Sequence, residues 1–564
     1  MERRVLLAIS LSFLVLFLYQ SLVPPPEQPP APDGTPAAGA PAAAAGNGAV
    51  VDKATPPAEP TAAATEGVGA LVAAAAEREF VIETNTVRAT FTNRGARLKH
   101  WVLKRYLDRA GQAVDLVPAD AGREPLPFSL AVDDERVTAL LNESLFAVEM
   151  DPPPVINASA SAAALTFVYE SADGLAVQKR FTLQPSGYDV EFSSTVRRGS
   201  TALNPRILWG PGLGDEIAVT AGSGGFLRGN YVYPAAGFVH RDGSIKRYAG
   251  ASASTAGPQQ GSFRFAGVTD HYFVASVIEP DQPYQVEFAH VPIATAGGAG
   301  TVRQFVSFSL RFNEPPKALK FFVGPKQFDA LSAISPEFTK VIDYGMFAVL
   351  AVPLRGALEW VHGYIGNYGW SIIALTILIN LVMAPLRHKS VVSMRRMQEI
   401  QPQLKAIQDR YANLKITDPA RGKMNEEVMA LYREKGANPA SGCLPMLLTL
   451  PVLFAFYSLL SQAIEIRGAG FVGWITDLSQ RDPLYITPLL MGVTMFWQQR
   501  MQPGTGDPVQ QKVMMFMPLM FTAMMIGAPS GLVIYWLVSQ LWAIGQQYFT
   551  NWMIGPPKVV GVKR

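Results

Sequence analysis

Cysteine is nearly absent: Cys443 is the only one in 564 residues. A lone thiol excludes an intramolecular disulfide, a CxxC redox pair and a thiolate zinc cage. Charge is scarce too, with Asp, Glu, Lys and Arg at 16% of the chain against roughly 25% in ordinary soluble proteins. The formal net charge of +3 is too small to draw nucleic acid by bulk electrostatics, so no nucleic-acid partner is expected. The six histidines (His100, His240, His271, His290, His362, His388) show no HExxH or paired spacing, and no metal site is expected. GxxxxGK[ST] and GxSxG sequences are missing as well, which removes an ATP-binding loop and a nucleophile elbow. Gly210-Pro211-Gly212-Leu213-Gly214 reads as turn punctuation. The expectation is a protein with no cofactor that catalyses no covalent reaction.

Apolar residues are plentiful. Hydrophobic residues reach 49% and mean hydropathy is +0.15, values that exclude disorder throughout and an ordinary cytosolic enzyme. They point to a membrane protein with a substantial water-exposed part. Val5–Val23 is a 19-residue apolar run behind Arg3 and Arg4. A bilayer core of about 30 Å needs roughly 20 helical residues, so residues 1–23 read as a spanning anchor with a cytoplasmic N-terminus. A cleaved signal is the rival, but no small-x-small site follows. Residues 24–78 are nearly all Pro, Ala, Gly and Thr and read as a flexible tether. Residues 79–324 turn to short alternating runs rich in β-branched and aromatic residues, broken by Gly, Pro and Asp. That texture suits a large antiparallel all-β sandwich outside the cytoplasm.

The last third carries five candidate spans: Tyr368–Leu386, Pro445–Ile464, Leu484–Trp497, Val513–Ala528 and Leu532–Phe549. In Val341–Ile365, Arg355, Glu359 and His362 share one helical face, so this stretch reads as an interfacial helix on the outer surface. The segment 387–443 holds eleven Lys and Arg against six acids, which places it in the cytoplasm. With the anchor this makes six spans and two cytoplasmic termini, the chain ending in a basic tail, 554–564. Within the basic segment, Val391–Tyr411 and Arg421–Lys435 read as two amphipathic helices joined at Ile416-Thr417-Asp418-Pro419, a hairpin over 387–437. Its cations Arg395, Arg396, Lys405, Arg410, Lys423, Arg433 and Lys435 offer a contact surface for anionic lipid or a ribosome.

Three features of the spans stand out. Leu484–Trp497 and Val513–Ala528 are short, about 21 and 24 Å at 1.5 Å per residue, which asks for local bilayer thinning or a water-filled recess unless the helices extend further. Methionine gathers between Met491 and Met525. Met514, Met517, Met520 and Met524, with Phe454 and Tyr457, suit an adaptable surface for apolar partners, or equally a lipid-facing one. Polar groups also lie inside spans: Thr376 and Asn380 one turn apart, and Gln540 near Tyr535 and Trp536. Such groups line an aqueous cavity or glue helices together.

Asn438-Pro439-Ala440-Ser441-Gly442-Cys443-Leu444-Pro445, Leu450-Pro451-Val452-Leu453-Phe454-Ala455-Phe456-Tyr457, Asp482-Pro483-Leu484-Tyr485-Ile486 and Pro529-Ser530-Gly531-Leu532-Val533-Ile534-Tyr535-Trp536 resemble the signature of the YidC/Oxa/Alb membrane protein insertases. The resemblance covers about residues 343–553, and the anchor with a large outer domain resembles the Gram-negative form. It implies a periplasmic β-supersandwich, an inner-membrane location and a five-span core, 368–553. It also implies a positively charged groove open to cytosol and lipid, through which nascent membrane proteins pass alone or beside the Sec translocon, without nucleotide hydrolysis. Carried onto this chain, the groove residues are Thr376, Asn380, Tyr535, Trp536 and Gln540. One departure matters: where the family pattern has an arginine, Thr376-Ile377-Leu378-Ile379-Asn380 ends in asparagine, and a groove tyrosine aligns with Trp536. Two rival functions remain, a small-solute transporter and a scaffold with a ligand-binding outer domain.

Overall fold

The computed structural model describes residues 70–555 except 109, 118–124, 150–151, 215–234, 295–301, 412–419, 436–443 and 502–507. The expected anchor (1–23), most of the tether, the basic tail from 556 and Cys443 lie outside the described residues.

Alternation builds the outer domain. Along Leu175–Leu183, Leu175, Val177, Lys179, Phe181 and Leu183 turn inward while Gln178 and Arg180 face water. Among the described residues three sheets result, of eleven, five and five strands. The pairings are antiparallel, except that Glu79–Glu83 runs parallel to Val155–Asn157. The last strand of the large sheet, Leu319–Pro325, slots between Asp189–Arg198 and Phe273–Ile278, closing the domain across more than a hundred residues of sequence. Between the sheets Phe128 packs on Phe181, Phe192, Trp209 and Phe321 at ring distances of 4.9 to 5.5 Å. Strand register forces Lys179 into this core, where its ammonium donates to the carbonyls of Gly95, Ala96 and Phe128. Two short helices, α1 (Glu135–Glu143) and α2 (Ala251–Thr255), lie between strands, and a third, α3 (Phe328–Ile334), follows the last strand. The expected tether is too long at its end: Ala70–Val72 pairs with Glu170 and Ser171, so these residues belong to the large sheet.

The helical part follows as α4 (Ala348–Ile365), α5 (Tyr368–Glu399), α6 (Gln401–Arg410), α7 (Ala420–Glu434), α8 (Leu444–Gln462), α9 (Ile486–Met501), α10 (Pro508–Met525) and α11 (Ser530–Ile554). Among the described residues, one stretch, Tyr368–Ser393, is long and apolar enough to cross a membrane by itself, with shorter apolar stretches at Thr449–Gln462 and Met514–Met525. Four boundaries differ from expectation. The span expected to stop at Leu386 runs on through Pro385 to Glu399 and takes over the first half of the expected hairpin helix. The break falls at Ile400, where Pro402 enters the first turn of α6. The short spans lengthen to 16 and 18 residues, because Gln498, Gln499 and Arg500 on α9, and Pro508–Lys512 on α10, continue the helices beyond the apolar runs. At about 24 Å, α9 is still shorter than a bilayer core.

In α4 the polar face is turned against protein. Arg355 pairs with Glu359 and stacks on Phe328 at 3.5 Å, while Met346, just before the helix, and Val349, Trp360 and Tyr364 are open. An interfacial helix with its polar face to water would show the reverse. Here the face available to lipid is apolar.

Outer domain and helices meet on polar pins. His271 Nε2 lies 2.8 Å from the Ser461 carbonyl of α8, and that acceptor fixes the proton on Nε2. Arg467 stacks over Tyr272 and donates to Leu107 O at 3.1 Å. Glu465 accepts from the Phe328 amide, and Ser458 Oγ donates to Tyr344 O at 2.9 Å. Burial, aided by the Lys326 and Arg467 cations, pushes His271 down to about 3.

Candidate functional site

Two parallel-running helices, α5 and α11, carry the candidate site. The start of α11 is fixed by close backbone approach. Ser530 N donates to Gln480 O at 2.7 Å and Gly531 N to Leu478 O at 3.0 Å. A Cβ on Gly531 would stand 3.3 Å from that carbonyl, tighter than most side chains tolerate. The preceding turn is organised by Asp482, which accepts from Leu484 N, Thr487 N, Thr487 Oγ1 and Trp474 Nε1. Burial pushes its carboxyl up, but these donors outweigh it and hold Asp482 below the usual range. The Asp482-Pro483 motif is thus a turn device.

On α5, Thr376 and Asn380 are buried inside the bundle, at 0% and 2% exposure. Thr376 Oγ1 donates back to Ile372 O at 2.6 Å. Asn380 Nδ2 donates to Thr376 O at 2.7 Å and reaches Ser539 Oγ on α11 at 3.3 Å. Tyr535 is buried with its ring stacked on Phe456 at 4.3 Å. Trp536 is half-buried against Phe521 at 4.6 Å.

Below this point the polar seam continues along α11. Gln546 Nε2 donates to Ala384 O on α5 at 2.7 Å, Gln547 Nε2 donates to Met501 O on α9, and His388 lies 3.3 Å from Thr550 Oγ1. Trp536 Nε1, Gln540 Oε1, Trp542 Nε1 and Gln546 Oε1 are buried without a protein partner. A run of unsatisfied donors and acceptors in an apolar bundle is costly unless water or a passing polar chain meets them. Ser539, Gln546, Gln547 and Thr550 were not singled out in the sequence. Their spacing of three, four and seven along one apolar run was the available signal.

The expected client surface divides. Met517 and Met520 are open, alongside Met515, Phe516 and Leu519, while Met514 and Met524 are half-buried. Phe454 and Tyr457 do not join them. Phe454 stacks on Phe347 at 5.4 Å, and Tyr457 packs on the core, because α4 covers α8. The Thr522 side chain of α10 packs against α9 at Gly492, where a Cβ would run into its hydroxyl.

Of the basic-loop cations, Lys405, Lys423 and Arg433 are exposed. Arg410 pairs with Glu427 at 2.7 Å, and Lys435 with its neighbour Glu434. The side chains of Arg395 and Arg396 lie outside the described residues. The hairpin closes on Ile400 and Tyr432, with Leu404 and Val428 beside them. Among the described residues no three His, Cys, Asp or Glu are grouped so as to hold a metal ion.

Two family models match, the YidC periplasmic domain over residues 79–356 and the 60Kd inner membrane protein over residues 360–556. The membrane protein insertase YidC of Geobacter metallireducens is 33% identical, with 98% of each chain covered. That of Syntrophus aciditrophicus is 33% identical over 98% of this chain and 99% of its own. A solved YidC insertase aligns with 86% of this chain and 95% of its own at 17% identity and a TM-score of 0.36, a likeness that adds nothing to these. With a third of its residues shared over essentially its whole length, the chain belongs to the YidC family of membrane protein insertases.

Proposed function

We infer that this chain inserts nascent membrane proteins into the bilayer and assists their folding there, with no nucleotide hydrolysis. The observation that carries this is the full-length identity to named insertases, outer domain and helical core together. The α5–α11 seam supports a mechanism. A charged group at the bilayer centre costs about 2.5–3.5 kcal/mol on insertion scales. A hydrated groove lined by Thr376, Asn380, Tyr535, Trp536 and Gln540 shortens the dry part of that path. The open face at Met515, Met517 and Met520 then receives the apolar segment beside lipid.

The chain works in the inner membrane of a Gram-negative cell, with six spans, both termini cytoplasmic and a β-supersandwich in the periplasm. It acts alone or beside the Sec translocon. The exposed cations Lys405, Lys423 and Arg433 meet the ribosome or anionic lipid on the cytoplasmic side. Purified chain in proteoliposomes tests the function: a single-span client should gain a protease-protected tail only when the chain is present. Equal protection in protein-free vesicles would contradict it.

A further inference from the structure

A cavity of about 350 Å³ opens on the outer domain beside α1, and strand register assembles its charged wall. Asn204 and Arg206 are two residues apart at the start of the strand Arg206–Trp209, on the face opposite buried Pro205 and Ile207. Ile207 pairs with Leu310 on the neighbouring antiparallel strand, so the next position sets Arg206 beside Arg311. Like charges side by side across a strand pair are destabilising. Arg198 adds a third guanidinium to the lining. Two of the three have loose, solvent-exposed counterions: Arg198 lies 3.4 Å from Asp134 and Arg311 3.6 Å from Asp133. Arg206 has none among the described residues. Its Nε is buried without an acceptor, and Asn204 Oδ1 is buried without a donor. The Asn204 amide cannot turn to hide that oxygen, because its Nδ2 donates to Phe312 O at 2.7 Å. Val137 and Leu203 give the same cavity an apolar patch. An orphaned donor and an orphaned acceptor in one cavity cost stability until water or a ligand meets them.

We propose that this cavity binds a carboxylate whose neighbouring carbon carries an N–H donor, the chemistry shared by a polypeptide carboxy-terminus and a free amino acid. The carboxylate bridges Arg206 and Arg311, the N–H meets Asn204 Oδ1, and an aliphatic side chain covers Val137 and Leu203. Inorganic phosphate would leave that apolar patch bare. A lipid phosphate is excluded by position. The strand Leu319–Pro325 leads to the joint with the helices, where Pro325 pairs with Phe273 and Arg467 covers Tyr272. Its other end, Leu319, pairs with Phe192, and Arg198 lies six residues beyond, further from the joint. About twelve strand positions at roughly 3.3 Å each put the cavity about 40 Å from the joint. The site stands apart from the α5–α11 seam and does not depend on the insertase function.

The test titrates the full chain in detergent with the peptide acetyl-Ala-Val-Leu by calorimetry. Replacing the carboxylate of the peptide by an amide should weaken binding about tenfold or more, the worth of a hydrogen bond to a charged group. Methylating the last peptide nitrogen, which removes the donor for Asn204, should weaken it about three- to tenfold. Arg206→Gln should match the loss from amidation, and Arg311→Gln, at an exposed side chain that the fold does not need, should cost about threefold. Unfolding temperatures check that both variants are folded, and the altered peptides need no variant. An amide that binds as tightly as the acid, or an affinity unchanged in both arginine variants, overturns the proposal. So does the absence of binding at millimolar peptide, or displacement of the peptide by inorganic phosphate at equal concentration, which would mark a plain anion site. Free leucine binding as tightly as the peptide supports the chemistry and makes a free amino acid the occupant; weaker binding makes it a chain end.

Discussion

The side-chain amide of Asn380 lies 3.3 Å from the hydroxyl of Ser539, a polar bridge between α5 and α11 inside the helical bundle. Asparagine offers two donors and an acceptor without an ion's desolvation cost, so it can hold water in a recess. Asn380→Leu should therefore slow insertion several-fold, most for clients with charged tails. It should cost the fold only about 0.6 kcal/mol, the average worth of one interhelical hydrogen bond. Insertion assays beside thermal unfolding in detergent separate the two effects. Wild-type rates on neutral and charged tails alike would show that Asn380 only holds the helices together.

His271 and Ser461 join the outer domain to α8, and the histidine should make that joint acid-sensitive. Its folded value, about 3, lies below the ordinary 6.5, so the unfolded chain takes up a proton that the folded chain refuses. The contribution is full above pH 6.5 and is lost as pH falls from there toward 3, by roughly 3 kcal/mol at pH 4.5. His271→Gln keeps a donor for the Ser461 carbonyl and does not titrate. Unfolding temperatures at pH 7 and pH 4.5 should fall less for the variant than for the natural chain. Equal falls would place the acid sensitivity elsewhere.

The charge excess of 387–443 sets the expected topology, and thiol labelling in whole cells checks it. In a Cys443→Ser background, Thr476→Cys should react with an impermeant reagent from outside, and Lys423→Cys should not. Both positions are exposed, so access to the aqueous side decides the result. The opposite pattern would mean that α4 spans the membrane.

The α6–α7 hairpin has its own fastening, with Arg410 on Glu427 at 2.7 Å and Tyr411 Oη donating to the same carboxylate. It should be removable without unfolding the helices in the membrane. Deleting Arg421–Lys435 should cripple insertion while the protein stays in the membrane at normal abundance. Normal insertion without these residues would reduce the loop to an orientation signal.

The sequence made the architecture legible where one physical pattern dominated. Alternation in 79–324 announced a β domain, and apolar runs announced helices. Boundaries were less legible, because α5 runs past its apolar stretch and carries Arg387 and His388 on the helix, where charge alone reads as loop. Thr376 and Asn380 were visible as polar residues one turn apart. Ser539 and Gln546 were hidden, since their partners, Asn380 and the Ala384 carbonyl, lie more than 150 residues away. Phe454 looked like client surface because nothing in the sequence reveals that Phe347 covers it.

The central claim is that clients pass along the α5–α11 seam and leave over the open face of α10. Site-specific photocrosslinking to a stalled nascent membrane protein tests it most directly, with probes at Asn380, Trp536 and Met517 and a control at Trp360 on the open face of α4. The account predicts adducts from 380, 536 and 517 that depend on the client's apolar segment, and none from 360. Adducts from 360 at equal yield, or none from 536 and 517, would contradict it.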